Sequence, residues 1–126
     1  MQGTAKTYQG SCHCGRVRFE LISDLQPALR CNCSVCKRKG VPMVTAADAS
    51  FKLTAGAEFV TLYQFNSRQA RHHFCKVCGI YTHHNPRSNP SLTRVNAGCL
   101  EGVDPLALET QLVDGAALPV VEPTDS

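Results

Sequence analysis

Alternation of apolar and polar positions governs most of the chain. Across residues 16–21, Val17, Phe19 and Leu21 occupy every second position. A period of two puts them on one face of a half-buried strand. Residues 50–54 repeat the pattern with Phe51 and Leu53. Residues 58–65 are rich in β-branched and aromatic side chains, and Gly56 just before them signals a turn. Residues 91–96 predict a short strand that ends at Ala97-Gly98, and residues 106–113 a last one. No segment holds a 3.6-residue period through three turns, so any helix is short. The pattern predicts an all-β domain of several short strands with turns between them. Both ends, residues 1–7 and 118–126, read as loose.

The 126 residues are one domain's worth of chain, with no internal repeat, low-complexity segment or linker. The expected unit spans all 126 residues, with its core at about 8–113. Hydrophobic residues make up 43% and charged residues 18%, a soluble globular balance without Trp. The opening residues have no apolar h-region, and no apolar stretch nears the roughly 20 residues that span a bilayer. These features predict a cytoplasmic protein with no membrane partner, in a compartment where structural disulfides are rare.

The cysteines change the picture most. Eight are present, about 6% of the chain and below the level of a secreted disulfide scaffold. They form three clusters: Cys12-His13-Cys14-Gly15, Cys31-Asn32-Cys33-Ser34-Val35-Cys36 and Cys75-Lys76-Val77-Cys78-Gly79. Cys99 stands alone. Cys75-x-x-Cys78-Gly79 is a zinc knuckle, in which the glycine allows the turn. A knuckle supplies two ligands, and Cys12 with Cys14 is the natural candidate for the second pair. The central cluster offers Cys31, Cys33 and Cys36, with no obvious fourth ligand. Structural zinc takes four protein ligands, whereas catalytic zinc commonly takes three and leaves a position open. Two unlike metal sites are therefore expected. No βαβ pattern surrounds Cys75 and Cys78 to support a redox reading.

The formal charge is +3 with every cysteine neutral. Seven metal-bound thiolates and two zinc ions would bring it to about zero. Basicity thus argues little for a nucleic-acid partner, and no aromatic stacking set supports one. His72-His73 and His83-His84 flank the knuckle; either pair could add a metal ligand, but with cysteines filling the sites they read as polar residues on the strands leading to and from it. His13, His73 and Tyr81 are candidates for proton transfer, and Arg71 or Lys37 for pairing with a substrate carboxylate. Lys37-Arg38-Lys39 follows the open site and could attract an anion. Cys99 reads as a small buried residue, not a ligand.

The clusters in this order resemble the glutathione-dependent formaldehyde-activating enzyme family, also called the CENP-V/GFA domain. The matching stretches are residues 10–15, 31–37 and 71–79, with a similar closing stretch at 95–101. The resemblance implies a β-tent (Mss-like) of short antiparallel strands organised around zinc. It implies a structural zinc on Cys12, Cys14, Cys75 and Cys78 and a catalytic zinc on Cys31, Cys33 and Cys36. It also implies a carbon–sulfur lyase activity run in reverse, joining formaldehyde to glutathione as S-(hydroxymethyl)glutathione. The same cysteines would also suit a non-catalytic zinc module for protein binding, or a thiol or metal sensor.

Overall fold

A computed structural model of the protein describes residues 5–32, 34–47, 49–64, 70–86, 89 and 91–113. The all-β expectation holds. Among the described residues ten strands form: β1 (Lys6–Ser11), β2 (Arg18–Ser23), β3 (Ala28–Cys31), β4 (Met43–Thr45), β5 (Lys52–Ala55), β6 (Val60–Tyr63), β7 (Arg71–Cys75), β8 (Tyr81–Asn85), β9 (Arg94–Asn96) and β10 (Thr110–Val113). Among the described residues there is one short α-helix, α1 (Ser34–Lys39), between β3 and β4, with single 3₁₀ turns at Ala57–Phe59, Ala97–Cys99 and Pro105–Ala107. Among the described residues no helix is long and apolar enough to cross a membrane.

The strands make two sheets. One has the order β1-β2-β5, and the other β10-β3-β4-β9-β8-β7-β6. The alternation in the sequence explains the first: Phe19, Leu21 and Ser23 are buried along β2 while Arg18 and Ile22 face outward. The expectation of antiparallel strands fails at one edge, where β10 runs parallel to β3. The long return from β9 leaves β10 free to enter from the same end as β3, and a parallel pair needs such a connection. The expectation of a loose start fails at Lys6 and Thr7, which pair with Ser23 and Ile22. Residues 118–126 lie outside the described residues.

The main core lies where the two sheets meet. Phe19 and Leu21 pack with Ala28, Val44, Val95, Ala97 and Leu100. A second, smaller cluster joins Cys12, Val17 and Cys75, backed by Phe59 and Val60. Val17 thus belongs to a different layer from Phe19, its neighbour in the period-two pattern.

Candidate metal centre

The first cysteine group is built from two tight turns. At the end of β1, Cys12 donates its N–H to the Val17 carbonyl at 3.0 Å, and Gly15 donates back to the Cys12 carbonyl at 3.2 Å. Gly15 sits at φ 83°, in the left-handed region that favours glycine. At the end of β7, Cys75 donates to Ile80 at 3.0 Å and Gly79, at φ 79°, donates to Cys75 at 2.8 Å. The turns bring Cys12, Cys14, Cys75 and Cys78 together, with their four sulfurs all within 4.8 Å of one another. Cys12–Cys14 and Cys14–Cys75 sulfur separations are 3.6 and 3.8 Å. Four thiolates at about 2.3 Å from a zinc ion stand about 3.8 Å apart at the corners of a tetrahedron. The donor set and its spacing fit such an ion.

Backbone donors complete this cage. Val17 N–H points at the Cys12 sulfur at 3.4 Å, and the N–H groups of Val77 and Cys78 point at the Cys75 sulfur at 3.4 and 3.5 Å. Such bonds favour negatively charged sulfur. Cys14 is exposed, and hydrogen bonds from the Arg16 backbone and then its side chain lower its pKa to about 6. Burial pushes Cys78 up, but backbone N–H groups, Ile80 first, outweigh it and lower the pKa. Cys12 is raised, chiefly by burial. Cys99 is raised to about 12 by burial, and its thiol points to the Tyr81 carbonyl at 3.8 Å, apart from the four. The seven described cysteines form no disulfide.

The second group lies at the other end of the larger sheet. Cys31 closes β3, held by the parallel pairing to Val113 and by Asn32 N–H to the Val113 carbonyl at 3.2 Å. Cys36 is buried on α1. Cys33 lies outside the described residues. The helix ends at Gly40 (φ 66°), which donates to the Cys36 carbonyl at 3.0 Å. Its last turn carries Lys37, Arg38 and Lys39, and the Lys39 ammonium lies 4.8 Å from the centre of the Tyr81 ring.

Sheet register separates the histidine doublets into two faces. Leu62, His73, His83, Val95 and Val44 stand opposite one another across β6, β7, β8, β9 and β4. This row faces the core: His73 and His83 stack at 4.3 Å, and Phe51 lies 4.5 Å from His83. The neighbouring row is Tyr63, His72, His84, Arg94 and Thr45. It occupies the other face, on the side of Cys31 and Cys36: negative charge on the Cys31 sulfur would raise the pKa of His72, His84 and Arg94, and charge on Cys36 that of Arg94. Burial lowers the pKa of His72 to about 4, of His83 to about 3 and of His84 to about 2. All three are therefore neutral at pH 7.

A bulge sets the position of Tyr81. The β7–β8 register shifts between His73 and Phe74, so Phe74 pairs with Tyr81 and Thr82 is the extra residue. A bulge re-aims the side chain beside it. Here it turns Tyr81 onto the face of His72 and His84, and its hydroxyl lies 2.6 Å from His72 Nδ1. Thr82 occupies itself with the His73 carbonyl at 3.3 Å and with His83 Nδ1 at 2.9 Å. Asn96 pins the Tyr81 carbonyl at 2.8 Å.

Of the proton-transfer candidates named from sequence, Tyr81 alone joins this face. His13 is exposed between Cys12 and Cys14, and His73 is stacked in the core face with its Nε2 on Asn85 at 3.1 Å. Sequence analysis placed His72 and His84 on the strands beside the knuckle but did not single them out, or Arg94, as sharing a face with Tyr81. The available signal was the doublets themselves, because adjacent residues on a strand must face opposite ways.

Comparisons with known proteins agree with the geometry. A protein of Rhodobacter sphaeroides, solved as a crystal structure, is 47% identical, with a TM-score of 0.77 over 83% of this chain and 99% of that one. A Halomonas elongata protein whose name carries the description of a glutathione-dependent formaldehyde-activating enzyme is 35% identical over 79 residues. That match takes in 56% of this chain and 50% of the relative, so the chain aligns with about half the relative's length. The sequence pattern of the glutathione-dependent formaldehyde-activating enzyme family matches residues 7–113. With that match across most of its length, the chain belongs to the glutathione-dependent formaldehyde-activating enzyme family.

Proposed function

We propose that this protein joins a small aldehyde to a thiol, a carbon–sulfur lyase step run in reverse, with formaldehyde and glutathione as the pair. The observation that carries the reading is the inequality of its cysteine groups. One gathers four sulfurs within 4.8 Å. The other offers three by sequence, Cys31, Cys33 and Cys36, and its described members Cys31 and Cys36 lie near buried His72, His84 and Arg94. Four protein thiolates close a tetrahedral zinc site, whereas three leave a position open. On this reading Cys12, Cys14, Cys75 and Cys78 hold a structural zinc, and Cys31, Cys33 and Cys36 hold a second one. A zinc ion in the three-sulfur set supplies a position where a thiol is kept in its nucleophilic, thiolate form.

The chain's own residues do the rest. Lys37, Arg38 and Lys39 at the end of α1 attract the carboxylates of an anionic thiol. The buried face of β7 and β8 excludes water from the aldehyde. Attack of thiolate on the carbonyl carbon forms the carbon–sulfur bond, and the oxygen gains a proton. The seven described cysteines are unbridged, which suits a reducing compartment.

Exchange NMR with carbon-13 formaldehyde and glutathione tests the reading. Zinc-loaded protein should speed adduct formation well above the spontaneous rate. Cys33→Ser should remove the acceleration and leave the melting temperature within a few degrees of wild type. A protein carrying two zinc ions that leaves the spontaneous rate unchanged sinks the reading, and a non-catalytic zinc module would then account for the fold.

A further inference from the structure

The face beside Cys31 and Cys36 holds more polar machinery than two sets of metal ligands need. His72 and His84 are 4% and 6% exposed, yet they sit on the side of the sheet opposite the main core. His84 Nδ1 and Arg94 Nε are buried, and among the described residues neither has a hydrogen-bond partner. Leaving a buried donor or acceptor unsatisfied costs about 1–3 kcal/mol. Two such nitrogens on side chains paired across β8 and β9 point to a ligand atom that completes them. Alongside stands a hydroxyl already engaged at 2.6 Å by His72 Nδ1. Tyr81 is placed there by a bulge, with its backbone carbonyl fixed by Asn96 and its ring close to Lys39 and edge-on to His84 at 6.0 Å.

We propose that Tyr81 is the proton-transfer residue of the site, positioned by His72, and that His84 and Arg94 receive the aldehyde oxygen. The assignment rests on the aldehyde–thiol reading above. In the forward direction the thiol has already lost its S–H proton to solvent. The sulfur lone pair forms the C–S bond and the C=O π pair moves onto oxygen. That oxygen takes the Tyr81 proton and becomes the hydroxyl of the hemithioacetal, and the phenolate regains a proton from solvent. No oxidant or reductant is needed. In reverse, Tyr81 phenolate takes the hydroxyl proton as the C–S bond breaks. Arg94 Nε–H faces the oxygen where charge builds up, and a neutral His84 can hydrogen-bond to it without adding a second cation beside Arg94.

The test uses full-length, zinc-loaded protein and its variants Tyr81→Phe and Arg94→Lys. The phenylalanine keeps the ring and removes only the hydroxyl. Tyr81→Phe should lower kcat for adduct formation by about 10²–10⁴-fold, leave KM within about threefold and erase the alkaline limb of the pH profile. Zinc content and melting temperature should match wild type. Arg94→Lys, which keeps the charge but loses Nε–H, should lower kcat by about 10²-fold or more. A Tyr81→Phe enzyme within about twofold of wild type, with an unchanged pH profile, overturns the proton-transfer assignment and leaves the aldehyde–thiol reading standing. An unchanged kcat in Arg94→Lys overturns the oxygen site. A wild-type protein that does not exceed the spontaneous rate overturns the functional reading, and this assignment with it.

Discussion

A single backbone position shows how closely the first turn packs. Gly56 has φ 80°, and a Cβ there would run into the Arg16 carbonyl oxygen and the Val17 backbone. The clash is with backbone, so no rotamer relieves it. Gly56→Ala should destabilise the fold by about 3 kcal/mol, combining overpacking with left-handed strain. Urea titration would show it as a lower midpoint at an unchanged slope. The buried histidines make a second prediction at this scale. Burial holds His83 at about 3 and His84 at about 2, against about 6.5 in the unfolded chain. Above pH 6.5 both states are neutral and nothing is lost. As pH falls below 6.5 the unfolded chain takes up protons that the folded chain refuses. Stability therefore declines from pH 6.5 downward, by roughly 2 kcal/mol per histidine at pH 5. Denaturant melts between pH 7.5 and 5 should show this, and His83→Gln should flatten the slope by about one proton. An unchanged slope in that variant would mean that His83 is not held neutral.

At the scale of elements, the edge pairing of β10 with β3 was not legible in the sequence. Alternation in residues 106–113 gives a strand but says nothing about its partner or direction. The consequence is local to the second cysteine group, because β10 holds the Cys31 end of β3. A chain ending before Thr110 should lose metal from the Cys31, Cys33 and Cys36 group while the knuckle keeps its own. On the proposed two-zinc reading, elemental analysis would then fall from two zinc ions per chain to one. A count that stays at two would show that β3 keeps its end without β10. The strands β3 and β4 were also invisible beforehand: four and three residues are too few for a period to declare itself. Strand β2 was readable because Phe19 and Leu21 stand on the buried side of its alternation. The helix α1 carries Cys36 and the basic turn, and its shortness agrees with the lack of helical periodicity.

Across the whole molecule, two cores divide the labour. The apolar core between the sheets holds Phe19, Leu21, Val44 and Val95. The second cluster is small, and two of its three fully buried members are cysteines, Cys12 and Cys75. Such a corner cannot rest on hydrophobic burial alone, and metal binding of the kind seen in small zinc domains supplies about 10–16 kcal/mol. Cys78→Ser should therefore unfold the protein, or lower its melting temperature far more than Cys33→Ser does. Circular dichroism melts of the two variants side by side, at equal zinc, check this. Equal melting temperatures would mean that the four-sulfur group is not structural.

The two halves of the four-sulfur group were legible because their chemistry is local: Cys-x-Cys and Cys-x-x-Cys-Gly turns preset two ligands each within a few residues, while their pairing with each other was only a candidate until the family resemblance implied it. The all-β class was legible for a similar reason, since a period of two is written residue by residue. What the tertiary structure alone decided is which histidine of each doublet faces the core and which faces Cys31, and where Tyr81 points. Those choices depend on the register between β7, β8 and β9 and on one bulged residue. A shift of one residue in that register exchanges the two faces without altering any local preference, so only the assembled sheet could fix it.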